Sequence, residues 1–156
     1  MELKAIRKEK GLTQQKAAEI IGVSRRTYII YENREKDLSE KKYNYMCEVL
    51  VKYGYIDENH GRLTIDSIKK SCKAILDEYN VKFCYLFGSY AKGLATEDSD
   101  VDLLISVEAD GLKYFELIET LRESLKKKVD LLDVSQLTNN QKLIEEILNY
   151  GVKIYG

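Results

Sequence analysis

The hydrophobic period changes along this chain, and that change constrains the fold more than any other feature. Up to about residue 52 the apolar residues recur at helical spacing; beyond residue 80, short β-rich runs alternate with helical ones. The first part predicts four helices. Leu3 to Glu9 is amphipathic and stops near Gly11, Thr13 can cap a helix to about Ile20, Ser24 after Gly22 can cap another to about Glu32, and Ser39 can begin a fourth. Tyr43, Met46, Cys47 and Leu50 of that fourth helix fall at i, i+3, i+4 and i+7, a stripe suited to cover the other three.

With no proline in the sequence, boundaries rest on glycine and turn residues. Tyr53 to Leu63 is turn-rich, carries Gly54 and Gly61, and is the best linker, with the boundary near residues 57 to 63. Past it, Ile65, Ile68, Cys72, Ile75, Leu76 and Tyr79 keep helical spacing. Strands are predicted at Val81 to Phe87, Val101 to Val107 and Val129 to Val134, and helices at Leu112 to Leu125 and Asn140 to Asn149. Lys126-Lys127-Lys128 reads as a solvated helix end. The predicted fold class is two domains: an all-α bundle over residues 1–60, then an α+β domain with a small mixed sheet over residues 64–156.

Composition removes several chemistries. Cys47, Cys72 and Cys84 are widely spaced without a C-x-x-C pair, and His60 is the only histidine, so zinc clusters and Ser-His catalysis are disfavoured. Any catalysis has to run on carboxylates, lysines or hydroxyls. No apolar run approaches the roughly 20 residues needed to cross a bilayer, and the N-terminus carries no signal-peptide pattern, so a cytoplasmic protein without a membrane partner is expected. Residues 1–36 hold nine Lys/Arg against five Asp/Glu, whereas residues 37–156 hold sixteen against twenty-one. That asymmetry suggests an N-terminal segment that meets an anion.

Gly11 to Asn33 places two short helices around a tight turn, which is helix-turn-helix spacing. Ala17 is small where the helices approach, Gly22 permits the turn, and Val23 and Ile29 are expected to supply the joint. Ser24, Arg25, Arg26 and Tyr28 lie in the first turns of the second helix of the pair and are expected to face outward. The segment resembles the Cro/repressor-like (xenobiotic-response-element type) helix-turn-helix family at Thr13-Gln14, Val23-Ser24 and Tyr31-Glu32-Asn33. The resemblance implies phosphate contacts from Gln14, Asn33 and Arg34, with Arg25, Arg26 and Tyr28 nearest the bases of a double-stranded operator.

In the second half, the run Cys84-Tyr85-Leu86-Phe87 leads straight into Gly88-Ser89-Tyr90-Ala91-Lys92. A glycine at the turn and a hydroxyl opening a helix can hold a phosphate, with Lys92 as a possible further charge. Asp100 and Asp102 follow, on one face of a strand and about 6 to 7 Å apart. Their oxygens suit Mg²⁺, which keeps several waters and bridges to substrate phosphates. Either half alone is a weak signal.

Together they resemble the polymerase-β-like nucleotidyltransferase superfamily, and most closely its minimal nucleotidyltransferase branch, over residues 64–156. The stretch Asn149 to Tyr155 is similar to that branch's closing strand. The resemblance implies a third carboxylate; of the two aspartates of the third strand, Asp130 matches the family position, whereas Asp133 points to the opposite face and suits a solvent-facing or capping role. It also implies ATP as substrate, two Mg²⁺ ions at Asp100, Asp102 and Asp130, and phosphates gripped by Gly88 and Ser89. Tyr90, beside the motif, could approach the base.

Minimal nucleotidyltransferases are similar to antitoxins that adenylate a tyrosine of a HEPN-family toxin, and a fused DNA-binding domain implies self-regulation. The leading expectation is such an antitoxin, as a homodimer or in a hetero-oligomer with its toxin. The alternatives are a repressor or antitoxin acting by contact without catalysis, and a small-molecule nucleotidyltransferase.

Overall fold

The computed structural model describes residues 2–34 and 39–156, which form two compact units, Met1–Tyr55 and Ile56–Gly156. Among the described residues no helix is long and apolar enough to cross a membrane.

The first unit is helical: α1 (Leu3–Glu9), α2 (Gln14–Ile21), α3 (Arg25–Glu32) and α4 (Glu40–Lys52). Thr13, Ser24 and Ser39 accept hydrogen bonds from Lys16, Thr27 and Lys42, so each helix after the first starts at a hydroxyl cap. Gly22 ends α2 with φ +83, a left-handed turn that brings α3 back across it. Leu3, Ile6, Ala17, Ala18, Met46, Cys47 and Leu50 form the core, with Tyr43 and Val23 packed against it. The expected stripe on α4 is therefore the closing face of the bundle.

Two side chains of α3 depart from expectation. Tyr28 is fully buried in that core, while Ile29 is only half-buried and lies outside it. A buried ion cluster holds this geometry. The Glu32 carboxylate, fully buried, accepts from Arg7 Nε at 2.9 Å, Arg7 Nη2 at 2.8 Å and Gln14 Nε2 at 2.9 Å, tying three helices together. A pair this well hydrogen-bonded fixes the register of the helices more than it adds net stability.

The second unit begins with α5 (Ile65–Glu78), capped reciprocally by Thr64 and Ser67. Then follow β1 (Phe83–Phe87), α6 (Gly88–Lys92), β2 (Val101–Ser106), α7 (Gly111–Leu125), β3 (Val129–Asp133), a 3₁₀ turn (Val134–Leu137), α8 (Gln141–Tyr150) and β4 (Val152–Tyr155). The sheet order is β3-β2-β1-β4, with β2 and β3 parallel and the other pairs antiparallel. It is the expected small mixed sheet.

Alternation sorts the two faces. Cys84, Leu86, Val101, Leu103, Ile105 and Leu131 pack with α5 and α7, while Tyr85, Phe87, Leu104 and Leu132 pack with α8 through Leu143 and Ile147. Cys47, Cys72 and Cys84 are buried and form no disulfide; burial pushes the Cys72 thiol up to about 12, far from a nucleophile's range.

In the lysine run after α7, Lys126 and Lys128 are exposed as a solvated helix end should be, but Lys127 is corrected. Lys126 takes φ +55 and ends the helix left-handed, which turns Lys127 inward instead of into solvent. Lys127 is fully buried, and its ammonium donates to the His60 carbonyl at 3.1 Å and to the Glu97 carbonyl. It ties the start of this unit to the loop before β2. Lys127→Met keeps the stem but leaves both carbonyls without their donor, so unfolding free energy should fall by about 2 kcal/mol in urea titrations. An unchanged midpoint would show that water replaces the ammonium at no loss.

Candidate functional site

Strand register builds the site. Phe87, the last residue of β1, stands opposite Asp102 of β2, and Asp102 stands beside Asp130 of β3. Phe87, Asp102 and Asp130 thus lie at one level across adjacent strands, about 4.8 Å apart per strand, and Gly88 follows Phe87 directly. Val101 and Leu103 anchor β2 by their burial on the α5 and α7 side, which presents Asp102 to the other face. Asp100 precedes β2 by one residue and shares that face by parity.

Gly88 is there for two reasons. Its φ is +70, and a Cβ would stand 2.1 Å from Asp102 Oδ2 and 2.8 Å from Cγ. The turn therefore brings backbone directly onto the carboxylate. Phe87 caps α6 without any side-chain hydrogen bond, so the amides of Gly88, Ser89 and Tyr90 are not claimed by a cap. The loop ahead of Asp100 is held by Ser99 Oγ, which accepts from Thr96 N at 2.8 Å, and by Lys127 on Glu97.

Electrostatics agree with this convergence. Burial, then the neighbouring Asp130, Asp100 and Glu146, push the Asp102 carboxyl up to about 6. A carboxylate disfavoured by its acidic neighbours in this way suits neutralisation by a divalent cation, and the donor set is all hard oxygen. Among the described residues no three acidic, His or Cys side chains are gathered tightly enough to close around an ion by themselves.

Asp133 faces elsewhere. It caps the 3₁₀ turn through Ser135 N at 3.0 Å and accepts from Val107 N at 3.2 Å. Lys92, expected near phosphate, is paired with Glu146 Oε1 at 2.6 Å and lies 5.4 Å from the Tyr150 ring centre. Tyr90 is corrected outright: it is buried in the α5 and α7 core, and its hydroxyl accepts from Leu63 N, so it cannot stack on a base. Glu146 was missed. It sits on α8 one residue before the buried Ile147, and nothing local in the sequence says that this helix lies over the carboxylates.

In the helical unit, Ser24, Arg25 and Arg26 are exposed at the start of α3, and Asn33 and Arg34 are exposed beyond its end. Arg34 lies 4.8 Å from the Tyr43 ring centre. Gln14 has one amide hydrogen committed to Glu32. Tyr28 does not reach the surface, so its expected place nearest the bases is overturned; burial and Glu32 push its hydroxyl up to about 12. Tyr28 instead packs among Leu3, Ile6, Ala17, Met46 and Leu50, where its large ring fills the bundle.

Residues 70–156 match the family described as Polymerase beta, Nucleotidyltransferase, and residues 3–43 match the family described as Helix-turn-helix. A Methanocaldococcus jannaschii protein named "Putative protein adenylyltransferase" is 40% identical over 89 residues, which are 53% of this chain and 89% of that protein. The protein adenylyltransferase MntA of Thermococcus cleftensis is 42% identical over 67 residues, 42% of this chain and 68% of its own length. Among solved structures, a tri-AMPylated Shewanella oneidensis HEPN toxin in complex with MNT antitoxin is 22% identical, with a TM-score of 0.46 over 60% of this chain and 73% of that one.

Proposed function

The chain belongs to the polymerase beta nucleotidyltransferase family, and from that premise we propose that it moves AMP from ATP to a tyrosine of a HEPN-family toxin. In this reading it is the antitoxin of the pair, and its helix-turn-helix unit binds the operator of its own genes. The observation that carries the chemistry is the row that runs from the Gly88 turn, set against the Asp102 carboxylate, to Asp130 beside it on the next strand, with Asp100 two residues before Asp102. A protein acceptor is supported by the relatives named as protein adenylyltransferases. The toxin rests on the family resemblance of the sequence.

The uncapped amides at Gly88 and Ser89 receive the phosphates and orient the α-phosphorus toward the acceptor. The tyrosine oxygen attacks that phosphorus, its bond to the bridging oxygen breaks, and pyrophosphate leaves. Asp130, the exposed member of the row, takes the hydroxyl proton. When bound at Asp100, Asp102 and Asp130, two Mg²⁺ ions neutralise the triphosphate and the departing pyrophosphate.

The direct test is intact mass of the purified toxin encoded beside this gene, after incubation with this protein, ATP and Mg²⁺. One or more added AMP groups on tyrosine is the expected outcome; an unmodified toxin with ATP consumed would refute the acceptor. For the DNA reading, Arg25→Gln with Arg26→Gln should weaken a duplex of the upstream region by at least about tenfold and flatten its salt dependence by about 2 in log-log slope. Equal binding by the double variant would remove α3 from the interface.

A further inference from the structure

Outside the carboxylate site, the second unit has a groove of about 500 Å³ along the edge strand β4 and the flank of α5. Lys69, Lys70, Lys73 and Lys153 line it, with Tyr155 and Gly156 at its end. The concentration is unusual for this unit, which is acidic overall, with thirteen Lys/Arg against eighteen Asp/Glu over residues 56–156. Four of the unit's nine other cations are engaged, Lys82 with Glu108, Lys92 with Glu146, Arg122 with Glu58, and Lys127 on buried carbonyls, and what sets the groove lysines apart is that four of them share one concavity. Among the described residues the four groove lysines have no ion-pair partner.

The neighbouring acids make this more pointed. Asp77 stands four residues past Lys73 on α5, the spacing at which a helix pairs opposite charges, yet its carboxylate accepts from the Tyr155 hydroxyl. Asp66 has the same spacing to Lys70 and forms no ion pair with it. Helix ends do not account for the three lysines of α5 either, since Lys69, Lys70 and Lys73 fall in its middle turns, where the dipole does not favour cations. Four like charges around one groove repel each other, and an anion with several charges relieves that repulsion.

We propose that this groove binds the sugar-phosphate backbone of duplex DNA, adding a second, sequence-independent contact to that of the helix-turn-helix unit. This rests on the DNA-binding reading given above. Lysine is depleted at the centre of protein–protein interfaces, whereas unpaired lysines that can replace condensed counterions are what a phosphate backbone requires. The lysines read no bases; they add affinity and salt dependence.

The test uses the full-length protein and fluorescence anisotropy on a labelled random-sequence duplex of about 24 base pairs, over about 50 to 300 mM KCl. The variant K69Q/K70Q/K73Q/K153Q should lower the slope of log affinity against log salt by about 3 and weaken binding at the low end by at least about tenfold. Its melting temperature should match the unsubstituted protein; if it does not, K73Q/K153Q replaces it, with a slope change of about 2. Binding unchanged in the lysine variant but weakened by R25Q/R26Q overturns the groove and leaves the helix-turn-helix reading intact. Weakening by the lysine variant alone supports the groove and removes the helix-turn-helix contact. No binding by the unsubstituted protein at low salt overturns both. A same-sequence RNA duplex that binds more tightly than the DNA and shows the same loss, or a loss seen only with polyglutamate, overturns DNA as the occupant.

Discussion

Asp102→Asn is expected to do two opposite things: end AMP transfer and raise the melting temperature of the ligand-free protein at neutral pH. The first follows from position, because Asp102 is the centre of the row that runs from Gly88 to Asp130. Losing a carboxylate proposed to hold the metal should lower transfer by at least about 10³-fold, and Asp100→Asn should do likewise. The second follows from its environment. Its carboxyl is pushed from 3.8 up to about 6, chiefly by burial and then by Asp130 and Asp100, so folding opposes its ionisation.

The sign is that of a raised acid. Above about pH 6 the folded protein carries a charge it disfavours, and that destabilisation is fully present at pH 7.5. As pH falls from 6 towards 4 the carboxyl protonates and the difference disappears. Allowing for partial solvent screening, the asparagine variant should be more stable by about 2 kcal/mol at pH 7.5, roughly 5 to 10 °C in melting temperature, and indistinguishable near pH 4. A lower melting temperature at pH 7.5, or retained transfer, would each break the account.

Gly88→Ala should be nearly as damaging to activity, for a steric reason. At φ +70 an alanine is already strained, and its Cβ would fall 2.1 Å from Asp102 Oδ2, so the carboxylate has to leave its place in the row. A displacement of about 1 Å at reacting groups can cost about 10²-fold, and transfer should drop by that much or more. Gly93→Ala is the control. Gly93 has φ +72 but nothing within 4 Å of its added Cβ, so it should lose about 1 to 2 kcal/mol of stability through backbone strain alone and keep its transfer rate. If both variants lose transfer equally, strain in the α6 turn, and not the contact with Asp102, governs the site.

Much of this was legible along the chain. Thr13, Ser24 and Ser39 announce three helices because a cap is a contact between residues three apart, and the period-2 run around Asp102 announces a strand with its acids on one face. The glycine turn at the end of β1 and the stripe on α4 are local in the same sense. What misled were inferences about facing. Tyr28 was expected to face outward and Lys127 to lie at a solvated helix end, yet both are buried, because burial depends on what arrives from elsewhere in the chain.

The sequence by itself determined the elements, the two-part division by period and the residue types from which a phosphate-transfer site can be built. Only the tertiary structure decided which of them meet. Asp130 and Asp133 are the same residue type on one short strand; the parallel register of β3 on β2 puts Asp130 beside Asp102 and leaves Asp133 to cap a turn. Likewise Glu146 joins the site only because α8 folds over that face, and Lys92 is drawn to it. Register and packing are settled by the summed burial of residues far apart in sequence, and no short stretch of the chain carries that sum.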